Sequence, residues 1–235
     1  MQITEAYPSA IDKLNLKNKK SDKKFFNYSK YLITKPWGEE FLIFQTKKVA
    51  VWVLKIDSKK YTSLHCHLHK KTILIPLSGE LNVSLLLKKY KIKKKPIILN
   101  KSVFHQTHNS FDKSKYLIEI ETPNLKNDII RFRDYYGRSQ NNFKNESLNN
   151  SNKNNFYTKK IKKKNYMFGK KKVFLLEINK DNINSFSKNY KKSSFFIILK
   201  KINKNFKEGD VFFFNKKNLE ILKNSLIKKT MLLII

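Results

Sequence analysis

Residues 63–72 read SLHCHLHKKT and carry three of the five histidines in a chain of 235 residues. The other two, His105 and His108, sit together in FHQTHNS at 104–110. Histidine is the commonest metal ligand and the usual proton carrier near neutral pH. Two histidine segments set apart in the chain therefore point to one metal or acid/base site assembled from both. Side chains alternate faces along a β-strand, so His65, His67 and His69 would share one face, with Cys66 and Leu68 on the other. A third ligand for an ion held by this face must come from the second segment. Neutral imidazole suits a divalent transition-metal ion such as Zn, Fe, Mn, Ni or Cu, and the sequence selects none of them.

Outward from this stretch the chain is built of short apolar runs rich in β-branched and aromatic residues. They are EFLIF (40–44), VAVWVLKI (49–56), TILIPL (72–77), LNVSLLL (81–87), PIIL (96–99) and YLIEIE (116–121). Polar turns separate them, and Gly79 in LSGEL marks a hairpin. The length and spacing of these runs predict an all-β sandwich or barrel, with no helical stripe. Residues 1–30 read as a polar arm and 31–140 as the β domain that holds the histidines. Residues 141–155 lie within the Asn-rich SQNNFKNESLNNSNKNN (139–155) and read as a linker. In 156–235 the β pattern resumes with KVFLLEI, SFFIIL, EGDVFFF and TMLLII, this time without a histidine. This second part reads as a smaller, degenerate copy of the first.

Lys and Arg number 51 against 18 Asp and Glu, a net charge of +33. The lysines run through the whole chain beside abundant Asn, Ile and Phe. That pattern points to compositional bias in preference to a nucleic-acid site, while still favouring phosphorylated or carboxylated ligands. A single cysteine, Cys66, excludes an internal disulfide framework and suits a reducing compartment. No secretory h-region and no membrane-length apolar run are found, so the expected location is cytoplasmic.

The spacing of His65, His67, Thr72 and Gly79, followed by His105 and Asn109, resembles the two motifs of the cupin family, which are small double-sheet jelly rolls. The first motif reads HxH, three or four residues, Glu, six residues, Gly; the second ends in His, three residues, Asn. Thr72 stands where the motif has its metal-binding Glu. The flanks narrow the resemblance. KPWGEEF (35–41) and YLIEIETPNLKNDIIRFRDYYGRS (116–139) are similar to the opening and closing segments of type II mannose-6-phosphate isomerases, and together cover about 35–139. No Gly-rich nucleotide-binding loop of the guanylyltransferases often fused to those enzymes is present.

The resemblance implies a cupin jelly-roll barrel followed by a smaller degenerate cupin-like β unit. It implies a divalent ion on His65, His67 and His105, and a small sugar-phosphate substrate in the making of capsule or lipopolysaccharide. His69 and His108 become substrate-facing candidates. Glu119 and Glu121 share a strand face and are the candidates for proton transfer. Arg131 and Arg138 match the basic residues of the closing segment and suit phosphate. Lys70 and Lys71 read as a solvated loop, and Trp37 as core packing. The alternative is a non-catalytic cupin that binds a sugar or sugar nucleotide, or scaffolds a pathway partner. Pairing of two chains through their sheets is a further expectation.

Overall fold

The computed structural model of the chain describes residues 2–3, 27–93, 95–138, 147–149, 159–162, 165–168, 171–190, 193 and 195–235. Two compact units divide it, Met1–Phe156 and Tyr157–Ile235. Among the described residues no helix is long and apolar enough to cross a membrane.

The first unit is all-β, built of short strands in one large and two small sheets. Its strands, in chain order, are β1 Gln2–Ile3, β2 Leu32–Lys35, β3 Gly38–Gln45, β4 Ala50–Ile56, β5 Leu64–Cys66, β6 Lys71–Pro76, β7 Leu81–Ser84, β8 Lys89–Ile92, β9 Ile97–Leu99, β10 Gln106–His108, β11 Lys115–Thr122, β12 Ile130–Arg133 and β13 Ser147–Asn149. The large sheet has the order β1-β9-β6-β11-β4-β3-β2-β13; β10-β7-β8 and β12-β5 form two smaller ones. The central strands β4 and β6 are almost wholly buried, which accounts for their near-continuous apolar content, while β11 between them is half buried and alternates apolar residues with Glu119 and Glu121. Trp52, Leu54, Leu74 and Leu117 from the large sheet meet Leu81, Val83 and Ile92 from the small one in a single core. Burying each such side chain contributes about 1.5–3 kcal/mol.

The KPWG segment makes the tight connection from β2 to β3. Gly38 lies at φ +139°, and a Cβ there would stand 2.0 Å from the Lys55 carbonyl oxygen on the paired strand. Only glycine fits this approach. Gly38→Ala is expected to lower stability by about 3 kcal/mol, read as a drop in the urea midpoint. Trp37 packs in the core, as its sequence context suggests.

Two segments expected to be unstructured each carry a strand. In the 1–30 arm, Gln2–Ile3 pairs parallel with Ile98–Leu99. In the 141–155 linker, Ser147–Asn149 pairs antiparallel with Leu32–Thr34. The edges of the large sheet accept these short additions because their backbone groups are otherwise open. Apart from these strands and residues 27–30, both segments lie outside the described residues.

The second unit holds β14 Lys159–Lys162, β15 Asn165–Phe168, β16 Lys171–Ile178, α1 Ile183–Asn189, β17 Phe195–Ile198, β18 Val211–Phe213, α2 Lys216–Ser225 and β19 Thr230–Ile234. Its six strands form one antiparallel sheet, β14-β15-β16-β19-β17-β18. The β character expected here holds, and the two helices are additional to it. Ile183 and Phe186 of α1 and Leu222 of α2 pack with Ile178, Phe196 and Leu232 of the sheet. Asn215 caps α2 by accepting from Asn218 N at 2.8 Å. Both helices are short and polar on most faces, so sequence periodicity gives little sign of them.

Candidate metal centre and its cavity

His65 sits in the middle of β5 and His105 just before β10. The two are bridged through the backbone, with His65 N donating to His105 O at 3.0 Å and His105 N to His65 O at 2.8 Å. His67 follows β5 directly. The three rings lie with centroids 4.5–5.3 Å apart. One ligand atom from each falls within 4.8 Å of the others, and all three residues are buried.

Each imidazole is oriented by its Nδ1–H. His65 donates to the Ser63 carbonyl at 2.8 Å, His105 to the Val103 carbonyl at 3.0 Å and His67 to the Asp128 carbonyl at 2.5 Å. A carbonyl only accepts, so the proton lies on Nδ1 and the Nε2 lone pair is left free. His67 Nε2 is buried and has no hydrogen-bond partner, an orphaned acceptor of the kind that a metal satisfies. Burial keeps all three rings neutral. His65 is held well below the usual histidine range by burial and by the nearby His105, His67 by burial and Lys70, and His105 falls to about 4 mainly through burial. Three neutral, converging nitrogen donors fit a divalent transition-metal ion.

His69 departs from the alternation. β5 ends at Cys66, and the chain then curls around the carboxylate of Asp128. This side chain accepts the backbone N–H of Leu68 at 3.0 Å, His69 at 2.8 Å and Lys70 at 2.9 Å. The curl leaves His69 exposed and buries Lys70. His108 is also outside the central cavity. It lies on the opposite face of β10 from Thr107, beside Tyr61 at 5.7 Å, in a separate surface pocket with Lys89, Arg133 and Tyr135. Asn109, the last residue of the second motif, is structural. Its amide donates to the Ile56, Asp57 and Lys113 carbonyls and ties the turn to the end of β4.

His65 and His67 of the triad open on a narrow cavity of about 70 Å³, whose lining also includes Lys70, Glu119, Glu121 and Arg131. Both carboxylates of YLIEIE face inward. Glu119 is paired across the sheet with Trp52 and Leu74, and Glu121 with Ala50 and Thr72. Thr72 Oγ1 is buried without a partner beside Glu121. Burial, with Glu121 adding to it, pushes the Glu119 carboxyl up to about 7 against the pull of Lys70. Glu121 is clamped. Lys70 Nζ lies 2.5 Å from Oε1 and Trp52 Nε1 donates to Oε2 at 3.3 Å. Lys70 is 2% exposed, which corrects its reading as part of a solvated loop.

Further round the wall, Lys35 and Lys126 both pair with Glu40. Burial works to raise the Glu40 carboxyl, but the two ammonium groups outweigh it and hold it at about 2. Arg131 stands opposite His65 on the β12–β5 ladder and lines the cavity. Arg138 reaches the cavity wall too, but Asp134 holds its guanidinium in a fork, with Nε at 2.7 Å and Nη2 at 3.1 Å. Asp128, Lys70 and Lys126 are the residues that sequence reasoning missed. Asp128 falls in the quoted NDIIR stretch, which was the available signal for it.

No protein-family model and no curated protein matches the chain. Among solved structures, a sugar phosphate isomerase of the cupin superfamily from Silicibacter pomeroyi is similar at 11% identity and a TM-score of 0.34. That alignment covers 36% of this chain and 58% of the other, so this chain spans less than two thirds of that protein. The capsular polysaccharide assembling protein CapF from Staphylococcus aureus is similar at 14% identity and a TM-score of 0.40, over 44% of this chain and 34% of CapF. A double-stranded β-helix protein of uncharacterized role from Klebsiella pneumoniae is similar at 16% identity and a TM-score of 0.38, over 48% of this chain and all of the other.

Proposed function

We propose that the first unit is a metal-dependent sugar-phosphate isomerase of the aldose–ketose kind, related to the mannose-6-phosphate isomerases and serving cell-surface polysaccharide synthesis. The observation that carries the reading is the pairing of three converging neutral imidazoles with a cavity carboxyl at about 7. Moving a proton between adjacent carbons at neutral pH needs a base of that affinity. A divalent ion on the three Nε2 atoms would supply Lewis acidity to the sugar oxygens. Glu119 takes the proton at a carboxyl oxygen and returns it. On the lining, Lys35, Lys70, Lys126, Arg131 and Arg138 outnumber Glu40, Glu119 and Glu121, which suits an anionic substrate, with Arg131 set to meet its phosphate.

A second reading, a sugar-binding cupin without turnover, is favoured by the clamping of Lys70 on Glu121 and of Arg138 on Asp134. One experiment separates the two. Protein purified without chelator is expected to carry one divalent transition-metal ion per chain and to interconvert fructose 6-phosphate and mannose 6-phosphate. Glu119→Gln is expected to keep the metal and lose at least 100-fold in kcat, the lower end of the usual range for general acid–base catalysis. Metal and sugar-phosphate binding without turnover supports the binding protein. Absence of both metal and turnover overturns the isomerase.

A further inference from the structure

An irregularity in β12 separates two arginines. Arg131 stands opposite His65 and Arg133 opposite Leu64, with the register shifting between them. On a regular strand, residues two apart share a face, and both guanidinium groups would enter the central cavity. The bulge re-aims the second one. Arg131 lines the central cavity, while Arg133 lines a separate pocket of about 370 Å³. Leu64 and Gln106, the chain neighbours of His65 and His105, line that pocket too, so it lies on the back of the wall that carries the triad.

The floor of this pocket is a polar row. Gln106, Ser84 and Lys89 stand side by side across β10, β7 and β8, on the face opposite the buried Val83 and Thr107. Tyr61 and Tyr135 flank the row, edge to face, with ring centroids 4.8 Å apart. Tyr135 is 55% exposed, which leaves its ring open to a ligand. Arg133 Nη1 donates to Tyr135 Oη at 3.0 Å. That bond orients the guanidinium and leaves its other N–H groups for a ligand. In the central cavity Lys35, Lys70 and Lys126 each meet a glutamate. Here no carboxylate lines the pocket, and among the described residues neither Lys89 nor Arg133 forms an ion pair.

We infer that this outer pocket is a nucleotide site, in which Arg133 and Lys89 take the phosphates and the Tyr61–Tyr135 pair takes the base. An arginine fork and a lysine give charge-assisted hydrogen bonds to phosphate oxygens. Tyrosine rings stack bases of any identity, and the volume is that of a small-molecule site. The site does not depend on the metal or isomerase reading, both of which belong to the inner face of the wall.

The test is calorimetric titration of the chelator-treated full chain with ADP and with pyrophosphate, which carries the two phosphates without the base. It is run in about 0.15 M salt to screen the diffuse charge of the chain. One ADP per chain is expected, bound about tenfold more tightly than pyrophosphate. Arg133→Gln is expected to weaken both ligands about tenfold. Tyr135→Ala is expected to weaken ADP about fivefold and to leave pyrophosphate unchanged. Both residues are exposed, so neither change threatens the fold. Arg131→Gln in the central cavity and Lys217→Gln, exposed on α2 of the second unit, are expected to leave ADP binding as it was. Equal affinity for ADP and pyrophosphate overturns the nucleotide site, as does the absence of ADP binding. Loss of binding in Arg131→Gln but not in Arg133→Gln also overturns it, while leaving the central cavity as an anion site. An equal loss in Lys217→Gln and Arg133→Gln overturns it in favour of diffuse charge.

Discussion

Asp128→Ala is expected to unravel the ligand loop and to cost about 5 kcal/mol. Its carboxylate accepts three consecutive backbone N–H groups, from Leu68, His69 and Lys70, and hydrogen bonds to a charged acceptor contribute about 1.5–3 kcal/mol each. Alanine leaves those donors with no acceptor in a region where Lys70 and Asp128 are both buried. The curl then relaxes, and Lys70 is freed from the cavity. Asp128→Asn keeps one oxygen and replaces the other with a donor that faces N–H groups, so it should lose a substantial part of the same stability. Urea denaturation measures the cost and metal stoichiometry measures the loss of the site. An unchanged midpoint for Asp128→Ala would refute the role given to this residue.

The second large effect is the dependence of stability on pH in the metal-free protein. His105 has its folded pKa lowered from 6.5 to about 4, and those of His65 and His67 are also lowered. Between pH 6.5 and about 4 the unfolded chain therefore binds more protons than the folded one, and stability falls as the pH falls through that window. For His105 alone the loss is roughly 3 kcal/mol. Glu119 works in the opposite sense. Its folded pKa is raised from 4.5 to about 7, so the folded chain holds a proton that the unfolded chain has released, and stability drops as the pH rises from 4.5 to about 7. Three imidazoles against one carboxyl decide the sign below pH 6.5. Urea midpoints of chelator-treated protein should climb from pH 4 to about 6.5 and stop climbing there. A profile that is flat across this range would contradict the burial of neutral histidines. Glu119→Gln should remove the opposing slope and make the climb steeper.

The sequence made the site legible to the extent that its chemistry is local. His65 and His67 are two apart next to a short strand, and His105 and Asn109 keep their spacing around another. Glu119 and Glu121 alternate on a strand of clear period, and their inward face follows once Leu117 is in the core. What stayed hidden depends on contacts distant in sequence. The curl at 67–70 is dictated by a carboxylate some sixty residues further on. Strand alternation therefore fails at His69, and the buried lysine is 70 and not a histidine. Lys70 was also masked by its surroundings, because one more lysine in a chain with 51 Lys and Arg carries no signal. Arg138 shows the converse. Its match to a motif suggested phosphate, but Asp134, four residues earlier, takes up its Nε and Nη2 groups.

Trp52 also gives the cavity an optical readout. Its indole N–H is held by Glu121, and the Lys126 ammonium stands 3.6 Å from the ring centroid. The second tryptophan, Trp37, lines the cavity directly, whereas Trp52 meets it through Glu121. The chain has two tryptophans, so its tryptophan fluorescence, excited selectively over tyrosine, arises wholly in the first unit. Any event that shifts charge in the cavity, whether metal entry, anion binding or the breaking of the Lys70–Glu121 pair, changes the field across the indole and with it the emission. Occupancy of the site is therefore measurable on the unlabelled protein, and unfolding of this unit is visible without interference from the second.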